Sequence, residues 1–357
     1  MKKMYLAAAS VALLSIYSIA AFAQAPAAAP AAAPAQGGAA APGAAPRTPT
    51  PRPPGPGGAI AETPGQSIVN GVQTKTPNYV DAWAVQDVVD NLPTAPPARP
   101  KQPRKVLVLA TPKGFAHSSI PITATVVTLL GQHTGAWTTD IIWDQKEFTA
   151  QKLAGYDVLF LDNTTGTFLD DPNDAAGTAA RRAALLNFVR SGKGLAGTHA
   201  ATDSYHQGIN GLWPEFNKLI GGYFKYHWNY PTKITVKIDD PRSPINAGFE
   251  GKPFSVHEEV YTFAQDSFSR KNVHVLTSVD YSKMSAEDKA KEPAATKRTD
   301  GDYAISWIKK EGQGRVFYSS LGHAHPMFFN PAYLKQLIAG IQYAAGDLAA
   351  DDSPSVR

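Results

Sequence analysis

The 357-residue chain contains no cysteine. A disulfide framework, a thiolate metal site and a cysteine nucleophile are all excluded, so any catalysis must use imidazoles, carboxylates, hydroxyls or a bound metal. Excess charge is scarce as well. Lys and Arg number 34 against 30 Asp and Glu, a formal charge of +4. That excess is carried by Lys2, Lys3, Arg47 and Arg52 in segments without an acid, and the rest of the chain is neutral. Phosphate binding needs a basic face, so nucleic acid is excluded as a partner despite a pI of about 9.0.

Long apolar runs are missing with one exception. Residues 4–20 form an apolar stretch behind Lys2 and Lys3 and in front of Ala21-Phe22-Ala23. It is short for a bilayer span and ends at a small-x-small site, the pattern of a secretory signal peptide over 1–23. The expectation is a periplasmic or secreted protein with no transmembrane segment in the mature chain. Residues 24–58 are almost devoid of charge and consist largely of Ala, Pro and Gly, the composition of a semi-extended linker without a core. An approach segment, 59–103, carries Tyr79, Trp83 and a short helical pattern over 82–89, expected to pack on the outside of the domain.

From 104 to 348 the chain is long enough for one large domain, followed by a tail over 349–357. Residues 105–110 are a near-continuous aliphatic run, as in a parallel strand buried on both faces. Ile122, Val126, Val127 and Leu130 then repeat at helical spacing behind Ser118 or Ser119 as N-cap. Further strands are expected over 138–143, 157–162 and 195–197, with a helix over 178–190 before the last. Strands alternating with helices imply an α/β fold, a doubly wound and mostly parallel sheet. Polar–apolar alternation over 233–238 and 273–279, less clean over 256–263, with a hairpin over 303–308 and 314–320, adds a partly antiparallel extension. A helix over 333–345 closes the domain.

Nine histidines lie within the domain. His117, His199, and His323 with His325 each follow a strand, and strand carboxyl ends form the ligand crevice of such sheets. His206 and His227 are expected in loops after His199. A single strand-end histidine is most often structural. Imidazoles converging from several strands are also what a divalent metal such as zinc requires, with Asp203 or Glu259 able to complete the shell. Aromatic residues crowd the same loops and offer flat faces to sugar rings. Gly192-Lys193-Gly194 lacks the spacing of a phosphate-binding loop, so no nucleotide is expected.

Five ordered blocks resemble the trehalose-utilisation (ThuA-like) family. They are Gly114-Phe115-Ala116-His117, the run 192–203 through Gly197-Thr198-His199, Leu219-Ile220-Gly221-Gly222-Tyr223-Phe224, Glu258-Glu259-Val260-Tyr261-Thr262-Phe263, and 314–323 ending Leu321-Gly322-His323. Asp240-Pro241-Arg242-Ser243-Pro244 departs from the family pattern, in which a His commonly stands at the position of Ser243. The resemblance implies a class I glutamine-amidotransferase-like fold with His199 at the elbow that elsewhere carries the cysteine nucleophile. Without a thiol, amidotransferase chemistry is excluded. The resemblance also implies a small-molecule carbohydrate, of the trehalose type or a 3-keto-glycoside.

The reading is an exported sugar-processing enzyme with His199, His227 and His323 on a divalent metal, zinc foremost. His117, Asp203 or Glu259 would be acid or base, and Tyr205, His206, Tyr223, Trp228 and His325 would contact the sugar. The competing reading is a non-catalytic carbohydrate-binding module.

Overall fold

Strand β1 (Lys105–Leu109) is exposed only at its first residue, and its side chains divide between two cores. Val106 and Val108 belong to one cluster and Leu107 and Leu109 to the other. Because successive strand residues point to opposite faces, a continuous aliphatic run means helices on both sides. The computed structural model describes residues 80–206 and 211–355. The expected signal peptide, the linker and the approach segment as far as Tyr79 lie outside the described residues.

The main sheet has nine strands. β1 lies between β2 (Thr138–Ile142) and β3 (Val158–Asp162), and β3 is followed by β4 (Gly194–Thr198) and then β11 (Gly314–Ser319), all parallel. From β11 onward the sheet turns antiparallel through β10 (Ala304–Glu311), β9 (His274–Val279), β6 (Lys233–Ile238) and β7 (Phe254–His257). One face is covered by α1 (Ala82–Val89), α2 (Ile120–Thr134) and α7 (Pro331–Ala344). The other is covered by α4 (Ala175–Arg190) and α5 (Pro214–Ile220), and α3 (Ala150–Leu153) and α6 (Ala286–Lys291) are short. The α/β fold with a mostly parallel sheet and an antiparallel extension is the architecture expected from the sequence. Among the described residues no helix is long and apolar enough to cross a membrane.

Three local differences have physical causes. Residues 256–263 do not form one alternating strand: they break at Glu258-Glu259 into β7 of the main sheet and β8 (Val260–Phe263), which pairs with β5 (Phe224–Trp228) in a separate ribbon. His227 therefore lies on a strand rather than in a loop. α4 starts before residue 178 because the Asp174 carboxylate accepts the Gly177 N–H and caps an earlier first turn. The approach segment is integrated rather than peripheral, since Ala84 and Val88 join the core. Gln342 accepts from Ala98 N–H at 2.9 Å and donates to its carbonyl at 2.6 Å, and Arg104 bridges Asp157 and Asp347.

Candidate functional site

β4 runs straight into a 3-10 turn (His199–Thr202), and His199 sits on the bend at φ 40. A non-glycine residue there is strained, so the surroundings must hold it. They do so through three bonds. Tyr318 of β11 donates to the His199 carbonyl at 2.6 Å and Thr202 adds a bond at 3.3 Å, while the ring Nδ1 meets the Ser320 carbonyl at 3.1 Å. A carbonyl only accepts, so Nδ1 carries the proton and Nε2 is left as an acceptor turned toward His323. This is the arrangement by which a backbone carbonyl orients a metal-ligating imidazole.

That Nε2 faces a cluster. It is 3.2 Å from His323 Nδ1 and 3.6 Å from Glu259 Oε1, and His323 Nδ1 is 3.5 Å from the same oxygen. His117 stands edge-on to both rings, with centroid distances of 4.8 and 5.4 Å. One donor atom of each of the four side chains lies within 4.8 Å of the other three. Donors at about 2.0–2.1 Å from a tetrahedral zinc are separated by about 3.3 Å, close to the 3.2, 3.5 and 3.6 Å edges among His199, His323 and Glu259. Gly322 takes φ 114 immediately before His323, a turn that a side chain would resist and that points the imidazole inward.

Burial keeps the imidazoles neutral. His199 and His323 are pushed down to about 4, chiefly by desolvation. His117 lies well below its ordinary value for the same reason, reinforced by the neighbouring imidazoles. Neutral imidazoles are the ligating form. His117 Nδ1 is buried without a hydrogen-bond partner among the described residues, an unmet polar atom on a ring of the group.

Beside this group lies a second carboxyl, Glu258. Its Oε1 accepts the backbone N–H groups of Glu259 and Ala324, both at 3.1 Å, tying together the segments that carry Glu259 and His323. Complete burial pushes Glu258 up to about 8.

The group opens into a cavity of about 440 Å³ lined by Phe115, Phe224, His227, Asn229, Tyr230 and Tyr261. Tyr261 packs its ring 4.2 Å from His199. Phe224 and His227 both line this cavity although three residues apart, a parity that a regular strand forbids. A register shift between Phe224 and Tyr226 in the β5–β8 pairing removes the conflict. His227 Nδ1 lies 3.4 Å from Glu259 Oε2, and burial lowers its pKa.

The model of the ThuA family, trehalose utilisation, matches residues 105–344. The chain belongs to the trehalose-utilisation family. A crystal structure of a putative ThuA-like protein from Bacteroides uniformis is 22% identical and aligns with a TM-score of 0.51, covering 71% of this chain and 94% of that one. A second, from Parabacteroides merdae, is 16% identical at a TM-score of 0.46, covering 70% and 93%. At 22% identity the likeness to the Bacteroides uniformis protein is one of fold. Comparison with curated proteins gives no match.

Among the residues singled out from the sequence of this ThuA-family chain, His117, His199, Glu259 and His323 form the group itself, with His227 at its edge. His117 and Glu259, expected as acid or base, stand among the potential ligands, and His227, expected as a ligand, faces the cavity beside them. Asp203 pairs with His206 at 2.5 Å. His206 stacks on Tyr223 at 5.5 Å, and both line a different cavity of about 760 Å³ with Lys218 and Lys309. Tyr205 and Trp228 are fully buried: Tyr205 packs on Phe168 and Trp213, and Trp228 donates to the Asp288 carbonyl. His325 contacts the Ser118 carbonyl through Nε2 at 3.1 Å. Neither Glu258 as a brace nor Asn229 as a wall residue was legible in the sequence: the first needs the fold to become buried, the second has no pattern at all.

Proposed function

We propose that this ThuA-family protein holds a divalent transition metal, zinc foremost, on His117, His199, Glu259 and His323 and acts there on a carbohydrate. The observation that carries the reading is the mutual approach of these four donors at the floor of an aromatic-walled cavity. The donor set fits: three imidazoles held neutral by burial, one oriented by a backbone carbonyl, and one carboxylate. Bound there, the ion would serve as a Lewis acid toward a sugar oxygen.

The chain's own residues supply the rest. His227, partly open to the cavity and kept neutral, accepts a proton from the substrate, and its proximity to Glu259 stabilises the resulting imidazolium. Tyr261, Phe224 and Phe115 present flat faces that orient a ring and exclude water from one side. The reaction class that these roles serve is metal-assisted hydrolysis, elimination or isomerisation of a trehalose-type or 3-keto-glycoside sugar. The signal-like residues 1–23 support a periplasmic or secreted location for it.

The test is NMR-detected conversion of trehalose and of 3-keto-glucosides by purified protein, with zinc and with chelator, alongside His227→Ala. Chelator-sensitive conversion that falls in His227→Ala is expected. Sugar binding without conversion in zinc-loaded protein would favour the binding-module reading, and no sugar binding at all would overturn both.

A further inference from the structure

A second cavity, of about 520 Å³, adjoins the first, and His227, Asn229 and Tyr230 line both. The two spaces therefore form one groove that continues past the donor group. Tyr230 marks the passage between them, its ring 6.2 Å from that of His323. Beyond it the walls change character. The inner cavity has Phe115, Phe224 and Tyr261, whereas the outer one has Thr232, Lys233, Asp288 and Lys291, with Tyr226 as a flat face.

The outer wall is firmly held. Trp228, fully buried on β5, donates its indole N–H to the Asp288 carbonyl at 3.0 Å and fastens α6 to the ribbon. The Asp288 carboxylate accepts from Lys291 Nζ at 2.8 Å and from the Ser285 hydroxyl at 2.7 Å, so its oxygens have a fixed position. A carboxylate accepts from hydroxyls and an ammonium donates to them, which together with a nearby aromatic face suits a hydroxyl-rich ring and not an apolar group. A single ring held over the donor group would leave this outer space to water.

We propose that the outer cavity is a second sugar subsite, with Asp288, Lys291 and Tyr226 contacting the unit attached to the ring at the donor group, so that the ligand is an oligosaccharide or extended glycoside lying across Tyr230. The proposal rests on the carbohydrate reading above and specifies which way the ligand runs. In calorimetric titrations of the full chain, the probes are methyl glucosides and α- and β-linked glucose di- and trisaccharides. At least one oligosaccharide is expected to bind about tenfold more tightly than any methyl glucoside, the gain of one or two hydrogen bonds. Lys291→Met and Asp288→Asn should bring that ratio close to one, and Tyr226→Ala should reduce it. Lys291 is half exposed, so its replacement leaves the fold intact. Equal affinity for single and linked units in the wild type, or a ratio that survives both substitutions, would overturn the second subsite and leave the carbohydrate reading standing. Binding of none of the probes would overturn both.

Discussion

Replacing Glu258 by Gln is expected to change how stability depends on pH. In the fold the carboxyl is raised to about 8 by burial, whereas an unfolded glutamate titrates near 4.3. The native state therefore keeps a proton that the unfolded chain releases between these values, and stability falls as pH rises through that window. One proton corresponds to about 1.4 kcal/mol per pH unit, so the wild type should lose about 5 kcal/mol across the window from this group. Gln is a neutral isostere that keeps the Oε1 acceptor for Glu259 and Ala324 N–H, and it occupies the Oε2 position where the carboxyl has no hydrogen-bond partner among the described residues. Other titrating groups are common to both proteins and cancel in the difference. Urea unfolding in the presence of chelator at a series of pH values from 4.5 to 8 should show Glu258→Gln gaining on the wild type by about 1.4 kcal/mol for each unit. A difference that stays constant across this range would refute the reasoning.

His199 and His323 act in the opposite sense. Their folded values near 4 lie below the ordinary 6.5, so below pH 6.5 the unfolded chain takes protons that the fold refuses; metal-free protein should lose about 3 kcal/mol per imidazole by pH 4, measured by an unfolding series extended down to that pH. Gly340→Val should destabilise by about 1–3 kcal/mol or more, because a Cβ there would meet the Phe317 ring at 2.5 Å, and thermal denaturation reads the loss. Arg104→Ala should cost about 3–5 kcal/mol, chiefly because it leaves buried Asp347 without its cation while Asp157 keeps Lys193, and increased proteolysis near residue 100 should accompany it.

The parallel half of the sheet was legible because aliphatic runs buried on both faces have no competing reading. Val106 through Leu109 and Val158 through Leu161 are examples. Once those strands were placed, the positions of His117, His199 and His323 at one sheet edge followed from topology. Their partner Glu259 was visible only as one of two candidate carboxylates, because a break between two sheets, not a local pattern, carries it inward. His227 was misplaced into a loop since the run Phe224 to Trp228 mixes a lysine with aromatics and contains a register shift that spoils strict alternation. Aromatic residues were the least informative. Tyr205 and Trp228 belong to the core and Tyr261 faces the cavity, and nothing in residue type distinguishes a ring that packs from a ring that binds.

The central claim is that His117, His199, Glu259 and His323 hold a metal. Elemental analysis after equilibrium dialysis against zinc, on the wild type and on His199→Ala and His323→Ala confirmed as folded by circular dichroism, tests it most directly. The account predicts one tightly held ion per chain in the wild type, removed by chelator, and a loss of stoichiometric retention in both variants. A wild type that retains no ion, or variants that retain it as well as the wild type, would contradict it.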